Sequence, residues 1–265
     1  MVGRPRRFRK ETSEPSESEA VYVTFDPLAS TADALSFLAE GEAIASQPIH
    51  WGSNYSFALV LRRGEEQRLA VYKPRRGEVP LWDFPEGTLY RREYGAFLVT
   101  QALGWAFIPP TIIGNGPHGI GSIQLYVDAD QETDSDKLRK TNEAELMRIF
   151  LFDIFANNAD RKSGHCLRDR NGKLWGIDHG LTFNAVTKLR TVIWDFCGEP
   201  IPSSILGEMT SFLADASRVE TLGAQLGELL DKSEVATFFA RFERLANHGK
   251  FPNLDPRRNV PRGWW

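Results

Sequence analysis

Residues 145–157, ELMRIFLFDIFAN, set the first constraint on how this chain can fold. Apolar side chains fall on nearly every face at helical spacing. Such a helix has no side to offer water and must run through the middle of a folded body. Asn142 with Glu145 three residues later supplies its start signal. The stretch is short and carries Arg148 and Asp153, so it does not read as a membrane span. Asp153 demands a buried partner, because an unpaired carboxylate in an apolar interior is costly. The chain then turns polar at once, through Asn157-Asn158-Ala159-Asp160-Arg161 and on to His165. So many Asn, Asp and Arg side chains behind a buried helix are poorly explained by packing. They read as a functional loop on a rigid scaffold.

The rest of the chain is consistent with one medium domain in two lobes. Its 265 residues, 42% hydrophobic and 11% aromatic, are enough for a real core. A net charge of −3 and a pI near 6.0 argue against a dedicated nucleic-acid binder, which should carry a basic surplus. Two cysteines, Cys166 and Cys197, are too few for a disulfide framework. Cys166 has no assigned base and reads as a small buried side chain. No apolar stretch follows the opening basic residues, so no signal peptide is expected and a cytoplasmic location is. Residues 1–20 place Arg4, Arg6, Arg7, Arg9 and Lys10 ahead of Glu11, Glu14, Glu17 and Glu19, among Ser, Thr and Pro. This composition predicts a disordered tail.

From Ser30 onward the pattern is regular. A helix capped by Ser30 or Thr31 stops at Gly41. Three strand-like runs follow, EAIASQPI, YSFALVLRR and QRLAVYKP, with tight separators at 51–54 and 63–66 that predict antiparallel hairpins. An irregular piece, RRGEVPLWDFPEG, leads into a helix over TLYRREYGAFLVTQALG, ended by Gly104. Two more strands are expected in PPTIIGNG and GIGSIQLYV. The acidic segment 128–136 reads as a solvated connection. Beyond the buried helix, CLRDRNGKLWGID predicts a hairpin turning at Asn171-Gly172. The chain is looser to about Gly207 and helical in pattern from about Glu208 to His248. His118 and His248 read as surface residues. The expected fold class is α+β: a strand-rich lobe over 21–127 and a mainly helical lobe over 128–265.

Four elements then line up in chain order. Lys73 closes a strand in LAVYKP, Glu93 sits 20 residues later on a helix, Asp160 lies in the polar loop, and Asp178 follows a hairpin in WGIDHG. Phosphoryl transfer needs such parts. A lysine neutralises phosphates, a helix carboxylate holds that lysine, one Asp orients or deprotonates the acceptor, and another carries the bridging metal.

On these residues the chain resembles the phosphatidylinositol 3-/4-kinase-like branch of the protein-kinase fold, the branch that includes HipA-type bacterial kinases, and within it a bacterial subgroup. The catalytic loop of that branch runs Asp-Arg-x-x-x-Asn and its metal Asp arrives in an Ile-Asp-x-Gly end. Here these read Asp160-Arg161-Lys162-Ser163-Gly164-His165 and Ile177-Asp178-His179-Gly180. The likeness spans about residue 45 to about residue 245. It implies a two-lobed atypical protein-kinase-like fold that uses ATP and a divalent metal, Mn²⁺ or Mg²⁺. It implies Asp160 and Lys162 as catalytic residues and His165 with Asp178 at the metal. Lys73 and Glu93 would act beside the phosphates, Ser53, Asn54 and Ser56 as phosphate donors, and Val127 against adenine. The departures are His165 for the usual Asn, His179 for the Phe of protein kinases, and a phosphate loop, HWGSNYSF, with one glycine. His179 could add a nitrogen ligand or orient Asp178. Lys188 and Arg190 stand where lipid kinases meet an anionic head group. The phosphate acceptor stays open among protein, small molecule and lipid head group. A nucleotide-binding module without transfer is the alternative. A metal-dependent phosphohydrolase built on Asp160, His165, Asp178 and His179 is another, but it leaves Lys73 and Glu93 unused.

Overall fold

The computed structural model describes Val23, residues 30–49, 54–130 and 135–261. The tail expected over residues 1–20 and Ser53 lie outside the described residues, as does part of the acidic segment 128–136. In chain order the elements are α1 (Thr31–Glu40), β1 (Glu42–Ile49), β2 (Ser56–Arg63), β3 (Glu66–Pro74), α2 (Leu89–Leu103), β4 (Thr111–Gly116) and β5 (Gly119–Leu125). They continue as α3 (Ser135–Thr141), α4 (Glu143–Phe155), β6 (Cys166–Arg168), β7 (Leu174–Gly176), α5 (Ser203–Ala214), α6 (Ala216–Gly227) and α7 (Lys232–His248). The contacts divide these into two compact units: residues 1–90 with 110–128, and residues 91–109 with 129–265.

The first unit is a five-stranded antiparallel sheet in the order β1-β2-β3-β5-β4. Arg63 pairs directly with Glu66, so the β2–β3 connection is a two-residue turn. Gly64 takes it at a φ of 61°, which only glycine adopts at low cost. Strand alternation splits the unit's core. Phe37 and Leu38 of α1 pack on Leu59, Leu61, Ala70, Tyr72 and Ile123 from one face of the sheet. Val60 and Leu69 turn the other way, with Val23, Ile44 and Tyr126. Ser30 caps α1 through the N–H of Asp33, as expected.

The second unit is built around α4. Leu146, Ile149, Phe150, Leu151, Phe152, Asp153 and Phe155 are all buried. Rings from elsewhere in the unit close on it edge to face: Phe107 on Phe152, and Phe238 and Phe242 of α7 on Phe155. Each such aromatic, taken wholly from water, contributes about 1.5–3 kcal/mol before chain entropy is counted. The helical stretch after Glu208 resolves into α5, α6 and α7, broken by Asp215, which caps α6 through Arg218 N–H, and by Asp231 before α7. The β6–β7 hairpin has a longer turn than Asn171-Gly172 alone. The Asp169 carboxylate accepts from the N–H groups of Asn171 and Lys173 and from the Trp175 indole, which organises the whole loop. No helix among the described residues is long and apolar enough to cross a membrane.

Candidate active site

The polar loop after α4 rests on a buried ion pair. Arg161 is wholly buried and reaches back to Asp153 inside α4. Its Nε lies 3.0 Å from Oδ2 and its Nη2 2.9 Å from Oδ1. Burial pushes the Asp153 carboxyl up, against the pull of Arg161, Asn158 and Thr191. The remaining guanidinium donors go to the carbonyl of Ile177, at 2.9 Å, and toward His179 Nε2, at 2.8 Å. An arginine cannot accept, so His179 Nε2 accepts and the ring is neutral with its proton on Nδ1.

Two neighbours complete this scaffold. Asn158 donates from its side-chain amide to Asp153 and accepts the N–H of Asp160 at 3.0 Å. Asn157 sits at a φ of 57° and ties down the later loop, donating to the carbonyls of Asn184 and Val186 and accepting the Lys188 N–H. Asn157, Asn158 and Arg161 are all buried, so packing explains them after all. They hold the loop, and Asp160 is the member they present. The signal was in the sequence: Asp153 needed a cation, and Arg161 is the nearest one on the loop side.

Asp160 is half-buried, with Lys162 Nζ 2.9 Å from its Oδ2. Burial raises its pKa, Lys162 pulls it down, and the nearby charge of Asp178 pushes it up again. Arg190 also acts on it electrostatically. Its strand-like segment bonds back to the loop at Asn158 and Arg161, with Thr191 bridged to Arg161.

His165 closes a short 3-10 turn, Ser163–His165. Its Nδ1 accepts the Lys162 N–H at 3.3 Å and its Nε2 lies 3.3 Å from Asp178 Oδ2. Asp178 is exposed and held at a φ of 61°, which turns its carboxylate out as the chain leaves β7. Among the described residues no third His, Cys, Asp or Glu joins these two to form a cage. The pair fits a divalent ion that draws its other ligands from an anionic partner and water. His179, by contrast, is fully buried against Phe152 and points into the core, so it is no metal ligand. It fills the inward slot after Asp178. Glu93, on α2, is 3% exposed and accepts the His179 N–H at 2.9 Å. The adjacent Arg92 donates to the Thr182 carbonyl at 2.7 Å and to Glu234 of α7. One helical turn thus fixes both sides of the bend that follows Asp178.

In the first unit, Lys73 is the penultimate residue of β3, paired with Ser122. Asn54 spends its side-chain carbonyl on the Val79 N–H at 2.9 Å, which leaves its amide N–H groups to donate. Ser56 opens β2 opposite Ile49, and Val127 follows β5; both are half-buried.

No protein-family model matches the chain. It is 35% identical to protein Rv2133c of Mycobacterium tuberculosis over 268 aligned residues, 86% of this chain and 94% of that protein. Over 114 residues it is 34% identical to a phosphatidylinositol 4-kinase gamma 4 of Oryza sativa subsp. japonica, 36% of this chain and 20% of that protein. Among solved structures it is similar to the Golgi casein kinase with Mn/ADP bound, at a TM-score of 0.54 and 14% identity over 85% of this chain and 80% of that one. It is likewise similar to the Helicobacter pylori proinflammatory kinase CtkA, at a TM-score of 0.50 and 12% identity over 80% and 94%. The two structural likenesses are to kinases, and the fold is a two-lobed, kinase-like α+β fold.

Proposed function

The chain belongs to the family of the mycobacterial protein Rv2133c, and from that premise we propose that it is an ATP-dependent phosphotransferase of the phosphatidylinositol 3-/4-kinase-like type. The observation that carries this reading is the pairing of Asp160 with Lys162 at 2.9 Å and of Asp178 with His165 at 3.3 Å, on loops that the Asp153–Arg161 pair ties together. An acceptor residue, an electrostatic partner and two donors for a cation are the elements that phosphoryl transfer asks of this half of a site.

In this reading Asp160 accepts the proton of the acceptor hydroxyl, and burial tunes it toward a stronger base than an exposed Asp. Lys162 orients that carboxylate and neutralises charge on the moving phosphoryl group. Lys73 binds the inner phosphates with Glu93 as its counter-ion, and Ser53, Asn54 and Ser56 donate to the outer ones. The backbone around Val127 meets adenine. Asp178 and His165 would hold Mn²⁺ or Mg²⁺, which supplies charge neutralisation between phosphates. The acceptor is a protein, a small molecule or a lipid head group.

A module that binds nucleotide without transfer has one observation in its favour. With Nδ1 accepting the Lys162 N–H, His165 carries its proton on Nε2 and donates toward Asp178. A metal bond from Nε2 requires the ring to give up that arrangement. Incubation with γ-labelled ATP, beside a phosphate-ester hydrolysis assay, separates the readings. Label on an added acceptor or on the protein supports transfer. Tight nucleotide binding with no label moved overturns it in favour of the binding module, and ester hydrolysis without ATP in favour of a phosphohydrolase.

A further inference from the structure

The first unit contains a cavity of about 420 Å³ that none of the roles above uses. Arg75 and Arg76, in the 3-10 turn after β3, form one wall. His118 and Ile120, from the β4–β5 hairpin, form another, and Glu78 and Glu86 complete the lining. His118 stacks on Phe57 at 4.2 Å between ring centroids and lies parallel to Tyr72, whose side chain is on the sheet face covered by α1. Lys73 is next along β3 and points to the opposite face. Lys73 is not among the residues that line the cavity.

Two guanidiniums and two carboxylates line it, which suits a ligand that carries both an anion and a donor group. Neither Arg75 nor Arg76 is in an ion pair with another described residue, and both are exposed. Arg75 lies close against the backbone opposite. Gly87, at a φ of 71°, leaves open the space where a Cβ would lie 2.5 Å from Arg75 Nε. A side chain at 87 would make the guanidinium shift. Of the two carboxylates, Glu78 turns Oε1 to the Tyr90 N–H at 2.9 Å. Its buried Oε2 stands beside Glu86 as a second acceptor for a ligand hydroxyl or ammonium group. Two forked guanidiniums match the oxygens of a phosphate better than any neutral group does. The volume falls within the range of roughly 300–1,000 Å³ found for small-molecule sites, more than a bare phosphate fills.

We propose that this cavity binds a small phosphate monoester whose phosphate meets Arg75 and Arg76 and whose donor-bearing remainder meets Glu86 and His118. The proposal does not depend on the phosphotransfer reading. Calorimetric titration of the full chain with inorganic phosphate, O-phosphoserine and glycerol phosphate tests it. Saturable binding is expected, tighter for at least one ester than for inorganic phosphate, and the tighter ester shows whether an amino-acid or a polyol backbone is preferred. Arg75→Ala and Arg76→Ala should each weaken binding about tenfold, the scale of a lost charge-assisted contact. Glu86→Gln should strengthen the binding of inorganic phosphate. Lys73→Met should leave all of these affinities unchanged. Absence of saturable binding, inorganic phosphate binding as tightly as both esters, or an undiminished affinity in the double arginine variant would overturn the proposal. So would loss of phosphate binding in Lys73→Met, because the arginines would then be serving the nucleotide.

Discussion

Arg161 turns its whole guanidinium inward, to Asp153, to the Ile177 carbonyl and to His179. Removing either member of the Asp153–Arg161 pair leaves the other charge buried without a counter-ion. Arg161→Ala or Asp153→Ala should therefore cost about 3–5 kcal/mol in urea unfolding. A loss below about 1 kcal/mol would mean that the pair contributes no more than a surface contact. Asp160 behaves in the opposite way. Its pKa is raised, chiefly by burial, so the fold prefers its protonated form and loses stability as the pH rises through that raised value. Asp160→Asn should raise the thermal midpoint at neutral pH while lowering transfer by about 10²–10⁴-fold, the usual weight of a general base. The acidic limb of the wild-type rate profile should lie above the range of an ordinary Asp. An acidic limb at the ordinary Asp position, or an undiminished rate in the Asn variant, removes Asp160 from that role. Metal choice also belongs to single residues. An imidazole nitrogen suits borderline ions better than Mg²⁺, so Mn²⁺ should support the higher nucleotide affinity, and His165→Asn should shift the preference toward Mg²⁺. An unchanged metal profile in that variant takes His165 out of the metal site.

Among the elements, α2 has two tasks on consecutive residues. Arg92 holds the Thr182 carbonyl and Glu234, and Glu93 holds the His179 N–H. The Glu93 carboxylate is thus a backbone acceptor as well as the proposed counter-ion of Lys73, and the two jobs separate by substitution. Glu93→Gln keeps an oxygen for the His179 N–H but removes the charge. It should hold the thermal midpoint within a few degrees while transfer falls about tenfold or more. Glu93→Ala strips both and leaves a buried N–H without its acceptor, so it should lose roughly 1–3 kcal/mol as well. Equal transfer rates in the wild type and Glu93→Gln would limit Glu93 to its backbone role.

For the whole molecule, the decisive measurement is nucleotide linkage. Ligand that binds only the folded chain stabilises it by about 2.7 kcal/mol at a hundred times its dissociation constant. Mn²⁺–ATP should raise the melting temperature of the wild type, and Lys73→Met should abolish transfer and shrink that rise without altering the melting temperature of the free protein. A Lys73→Met variant that still transfers phosphate at the wild-type rate would remove Lys73 from the phosphate site.

Local physics alone determined much of this protein. Periodicity marked α1, α2 and α4 and the first three strands, because each repeats its own apolar spacing and carries its own cap or turn residue, such as Ser30, Gly64 and Gly104. The requirement that a buried carboxylate find a cation was equally visible at Asp153. Which of the polar loop residues face outward could not be read that way. Asn157, Asn158 and Arg161 differ little from Asp160 in composition, and only long-range partners, Asn184, Thr191 and His179, decide that three are buried and one is presented. His179 turned inward for the same reason: its partners Arg161 and Phe152 lie there. Pairings across 18 to 86 residues, such as Arg161 with His179 or Glu93 with His179, leave no periodic trace in a sequence, and they exist only once the chain has closed on itself.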